Sequence, residues 1–276
     1  EAVALTTNQV HALSSGQAAA LSSAALAAMS TAQVSVLTTA ATAALKAAQV
    51  AALTSAQTAA LTTDQVRALT SAQAAAIETV DLAALSTAQV VVLTTSDVAA
   101  LIGAQIGALK SDQFAALSTD QMHVLSSTQL ASLSTADVAV ISNSKITALA
   151  LNAIVGLTTA QVTNLTTAAV AALSTGQVNA LLSSQVGAMT SAQFQALGSS
   201  QVAALKSSQV AALTTAEIDV LTTDEIAAIS TAALPGLTTT DILSMTSTQA
   251  QAFTTAQFQA LSTSQADAVL LAYLNS

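Results

Sequence analysis

Counting from Leu5, every eighth residue through Val269 is Leu, Ile, Met, Phe or Val, without insertion or deletion. Calling that residue position 0, positions 1 and 2 are mostly Ser or Thr, position 4 mostly Gln, position 5 mostly Val and position 7 mostly Ala. The stretch LTTAQVTNLTTAAVAALSTGQVNAL, Leu157 to Leu181, holds three successive copies. Larger apolar side chains obey the same rule. Met29, Met189, Met245 and Phe253 stand at position 0, and Phe114, Met122, Phe194 and Phe258 at position 5. All nineteen charged residues fall at positions 1, 3, 4 or 6. A patterned core excludes charge, so positions 0, 2, 5 and 7 are expected to face inward.

An octad rule cannot be one continuous α-helix. Eight residues at about 100° each rotate the Leu row by about 80° per repeat, so no apolar stripe forms. Supercoils require periods of seven or eleven. A break in every repeat resolves this, and the local chemistry provides one. In LTTAQV, a hydroxyl at position 1 and Gln at position 4 make the S/T-x-x-E/Q capping box, with Leu at 0 and Val at 5 as the hydrophobic staple. Position 2 is Ser or Thr more strictly than position 1, which accepts Lys46, Glu78, Ile102 and Leu182. The N-cap register therefore stays open between positions 1 and 2. The expected fold is an all-α solenoid of short capped helices of about two turns. A β-solenoid is the alternative, since an even period suits strand alternation. Abundant Ala and Gln, with eight Gly and one Pro in the chain, weigh against it.

Two kinds of octad alternate. Those starting at 13, 29, 45 and onward carry 14 of the 19 charges, and those starting at 5, 21, 37 and onward carry five. The alternation suggests a coil of 16 residues with one helix on each side, and so a charged and an uncharged face. A helix this short buries too little surface alone, and neighbouring coils must complete the core. One repeat domain over 1–276 is expected, with 269–276 as a C-terminal cap that carries the single Tyr, Tyr273. Irregularities are expected at 143–156, where one longer helix could replace two, and at 235–236, where Pro and Gly meet.

Composition narrows the function. With five basic residues against fourteen acidic ones, no phosphate-tracking stripe can form, which argues against nucleic acid. Absence of Cys removes disulfide and thiolate-metal frameworks. The longest apolar run, Ala268 to Leu274, is far short of the roughly 20 residues of a membrane span. No charged, apolar and cleavage-site sequence opens the chain, so a secretory leader is not expected within it. His11 and His123 lie 112 residues apart, too far to share a metal or a catalytic dyad. Asp64, Asp112 and Asp224 come one to an octad and suit solubility, and the Asp224–Glu225 pair complements a helix N-terminus. No nucleophile elbow, phosphate loop or calcium nonapeptide occurs. No enzyme, cofactor, metal or small-molecule substrate is expected.

The low-charge octads hold the remaining candidates. Thr6, Thr7, Thr38, Thr39, Ile102, Thr166, Thr167 and Leu182 are expected to line an uncharged face. Such a face suits self-association or packing on neighbouring segments of a larger protein. The alternative is a regular hydroxyl array that binds ice or another ordered surface.

Octapeptides of the LTTAQVAAL and LSTAQVAAL style resemble tracts of very long secreted or surface-attached bacterial proteins of adhesin-like character. The resemblance covers Leu5 to about Ala268. It implies an extracellular or cell-surface structural role, as scaffold, spacer or filament-forming body. No functional residue transfers with it.

Overall fold

The computed structural model describes residues 4–274. The ends of the expected 1–276 domain, and Asn275 and Ser276 of the expected cap, lie outside the described residues. The described chain is all α, with 32 short helices and no strand. Thirty-one of them are four to six residues long, from Thr7–His11 to Thr255–Ala260, so each is little more than one turn rather than two. Thr263–Leu274 is twelve residues long.

Helix starts recur at one register. The residue at position 1 is the N-cap, in extended conformation, as at Thr62 with φ −74° and ψ 159°. The Thr62 hydroxyl accepts from the Gln65 N–H at 3.2 Å, and Gln65 Oε1 accepts from the Thr62 N–H at 2.7 Å. This capping box settles the register left open above, and position 2 is the first helical residue. No described residue has positive φ. The chain breaks by putting two residues into extended backbone, which any L-residue tolerates, and so needs few glycines.

The apolar residue at position 0 is sufficient for the break. At Ser142 and Ala150 the side-chain cap is lost, yet helices Asn143–Ala148 and Leu151–Ile154 remain separate around Leu149, at φ −60° and ψ 133°. The single longer helix expected over 143–156 is therefore not formed. Leu149 is buried, and a helix continued through it would turn the next position 0, Leu157, about 80° away from it, although Leu157 is buried too. Around Pro235 the chain forms a 3-10 turn, Leu234–Gly236. Beyond Val269 the hydroxyl pair is missing, and the helix Thr263–Leu274 runs on, packed against Thr239–Ser244 and Ser247–Gln251.

Two compact units divide between Val140 and Ile141. Within each, a helix packs on the third helix along, as Ser15–Ala20 on Thr39–Ala44 and Asn143–Ala148 on Thr167–Ala172. One coil is thus three helices and 24 residues, not two helices and 16. The alternation of octad chemistry in twos does not set the coil. Positions 0, 4 and 5 form the core, as in Leu61, Gln65 and Val66. Position 2 is outside, contrary to the inward placement inferred from charge, and position 7 is half-buried. Position 4 replaces position 2 inside because its amide finds partners there.

Candidate functional surfaces and the buried glutamine ladder

A helix end leaves donors unsatisfied at its start and acceptors at its finish. Gln at position 4 closes one of each. Its Oε1 takes the N–H of its own N-cap, and its Nε2 reaches the corner of the preceding coil. Gln65 Nε2 donates to Leu37 O at 2.8 Å and Val34 O at 2.9 Å. The same 28- and 31-residue reach recurs at Gln49, Gln129, Gln185, Gln209 and Gln257. These side chains are buried polar groups with every valence used, the condition under which burial of an amide stabilises.

Six octads carry a buried carboxylate there instead: Asp81, Asp97, Asp137, Glu217, Glu225 and Asp241. The carboxylate keeps the acceptor half of the arrangement, as in Thr94 N–H to Asp97 Oδ2 at 2.9 Å. It has no N–H to offer the corner below. Several accept a hydroxyl from that coil, as Ser111 Oγ does to Asp137 Oδ1 at 2.8 Å and Ser71 Oγ to Asp97 Oδ1 at 3.1 Å. The coil-to-coil bond thus runs in the opposite direction. Asp64, Asp112 and Asp224, by contrast, are exposed, and Asp64 pairs with Arg67 at 3.4 Å. Glu225, read above as a helix-end charge, is the buried N3 member of a capping box with Thr222.

The expected uncharged face is not assembled. Within residues 4–140, the octad of Thr6 and Thr7 and that of Ile102 share one side of the coil, twelve octads apart. That of Thr38 and Thr39 occupies another. Within the second unit, Thr166 and Thr167 lie on a different side from Leu182, two octads on. With three octads per coil, charged and uncharged octads alternate along the chain and also up each side. The Thr pairs are divided chemically as well. Thr6, Thr38 and Thr166 use their hydroxyls as N-cap acceptors, while Thr7, Thr39 and Thr167 are exposed. Ile102 and Leu182 are 62% and 51% exposed, each at an N-cap where no hydroxyl stands. Val80, also more than half exposed, lies on the side of Ile102 in the preceding coil.

His11 and His123 are exposed, and His11 Nδ1 is 2.9 Å from Val36 O. Among the described residues no group of three ligating side chains could hold a metal ion, no pocket opens, and no helix is long and apolar enough to cross a membrane. Desolvation on burial lowers the pKa of Lys145.

A family model described as the ALTTAQ repeat matches the sequence seven times, over residues 43–71, 74–111, 93–126, 104–135, 154–191, 183–215 and 199–231. Together these cover more than half of the chain. No curated protein matches the sequence.

Proposed function

The chain belongs to the ALTTAQ repeat family, and from that premise we propose that it is a non-catalytic structural segment, a scaffold or spacer of an extracellular, adhesin-like protein that associates with further copies or with neighbouring segments. The observation that carries this reading is the glutamine ladder. Polar side chains that elsewhere build sites are committed, octad after octad, to joining one coil to the next. Such a stack lengthens by adding repeats without changing its chemistry, the property a spacer needs. Association is supported by exposed aliphatic groups, with Val80 and Ile102 on one side of successive coils.

Light scattering with size-exclusion chromatography, and negative-stain microscopy at rising concentration, test the proposal. The expected result is concentration-dependent assembly, reduced by the double change Val80→Asp and Ile102→Asp. A chain that stays monomeric at high concentration, and binds no cell-surface or matrix component, would overturn it.

A further inference from the structure

The ladder has one complete interruption inside a unit. At Gln177, Gln185, Gln193, Gln201 and Gln209 each side chain donates to the coil before it. The next four position-4 residues are Glu217, Glu225, Ala233 and Asp241, none with an amide donor. The ladder resumes at Gln249, Gln257 and Gln265, which donate to Leu221 O, Ile229 O and Leu237 O. Elsewhere in the first unit the substitutions are isolated. Asp81 and Asp97 each lie between Gln octads, and so do Ala25 and Ala41. The other run, Asp137, Lys145 and Ala153, falls at the division between units and includes Lys145, whose ammonium is itself a donor.

Three successive losses matter because a coil has three corners. Between the coil 189–212 and the coil 213–236, every glutamine clamp is missing. By the 28-residue register, a Gln at 217, 225 and 233 would reach the carbonyls of Met189, Leu197 and Leu205, and Glu217, Glu225 and Ala233 have no amide N–H to offer them. One polar bond crosses in their place, from Ser191 Oγ to Glu217 Oε1 at 3.3 Å. On the other side, Gln249 and Gln257 hold coil 213–236 to the next coil, 237–260, with Asp241 at its remaining corner, and Gln265 donates to Leu234 O and Leu237 O. The gap is therefore one plane without any glutamine clamp, with three clamps at the junction before it and two of three at the junction after it.

We propose that this plane is a built-in parting surface, where the C-terminal block beginning at Leu213 separates from coil 189–212 before any clamped junction opens. Apolar packing still joins the two coils, through Ser199–Ala203 on Thr223–Ala228 and Ser207–Val210 on the Leu234–Gly236 turn. Opening is thus reversible and does not require the rest of the stack to unfold. In a load-bearing spacer, such a plane yields first and protects the remaining coils, but the inference does not depend on that role.

Hydrogen exchange on the full chain tests it. Amides of Thr215–Ala228, on the C-terminal side of the plane, are expected to exchange about tenfold or more faster than those of Thr167–Val186. They are also expected to exchange faster than those of Ser247–Ala260, nearer the C-terminus, an order opposite to simple fraying. Glu217→Gln with Glu225→Gln rebuilds two corners and is expected to remove most of the difference. Gln185→Glu with Gln193→Glu is expected to create a fast-exchanging plane where none existed. Uniform protection of the wild-type chain, or Gln variants that exchange like wild type, would overturn the proposal. The wild-type comparison stands even if a variant fails to fold.

Discussion

Gln65 and Leu37 are joined by a bond of 2.8 Å between an amide N–H and a carbonyl 28 residues back, while the other end of the same amide caps the helix at Thr62. One side chain satisfies a helix start and the finish of a helix in the coil before it. Gln65→Ala removes both bonds and leaves a buried donor and acceptor. A loss of about 2–3 kcal/mol is expected, measured by urea denaturation against wild type. Gln65→Glu keeps the cap and loses the clamp, and is expected to fall between the two.

Phe114 and Phe194 are the largest fully buried side chains, both at position 5. Phe114→Ala is expected to cost about 3–5 kcal/mol through the cavity it leaves, whereas Phe258→Ala, partly exposed, costs less. Thermal denaturation of the two variants side by side checks the order.

Two glycines give opposite signs. A Cβ at Gly187 would sit 2.5 Å from Ala212 O and 3.2 Å from its Cβ, a backbone contact in the next coil that cannot yield cheaply. Gly187→Ala is expected to destabilise by about 1–3 kcal/mol. At Gly16 nothing lies within 4 Å. Gly16→Ala, within Ser15–Ala20, is expected to stabilise by about 0.5–1 kcal/mol from backbone entropy and helix propensity.

Burial lowers the Lys145 pKa from 10.5. Between the lowered folded value and 10.5, the unfolded chain binds more protons than the folded one. Stability contributed at this residue therefore rises with pH across that window and is least when the ammonium is fully charged in both states. The Tm difference between wild type and Lys145→Gln, followed from neutral to alkaline pH, is expected to shift in favour of wild type as pH rises.

The missed role of position 4 has a specific cause. Gln at that position signals a capping box, which accounts for its Oε1 and leaves its Nε2 unassigned. Only the position of the preceding coil shows where those N–H groups go. Placing Asp97 and Glu225 outside, because carboxylates are charged, failed for the same reason. Their capping partners, and for Asp97 the Ser71 hydroxyl, make a buried acceptor tolerable.

By itself the sequence determined the local structure. An apolar residue every eighth position, the hydroxyl after it and Gln three further on set a helix start in every octad and put positions 0 and 5 in the core, while the cap register and the inward place of position 4 were not decided there. These are interactions within about ten residues, and they hold wherever the octad sits. The number of octads in a coil is a different matter. It depends on the angle turned at each break and on which earlier carbonyls lie within reach of Nε2, neither of which an eight-letter rule encodes. The tertiary structure fixed three per coil, although the charges alternate in twos. An octad starting at 45 then stacks on one starting at 21, of the other kind, so within each unit charge-rich and charge-poor octads alternate up each side of the stack. In a chain of net charge −9, that arrangement keeps like charges apart.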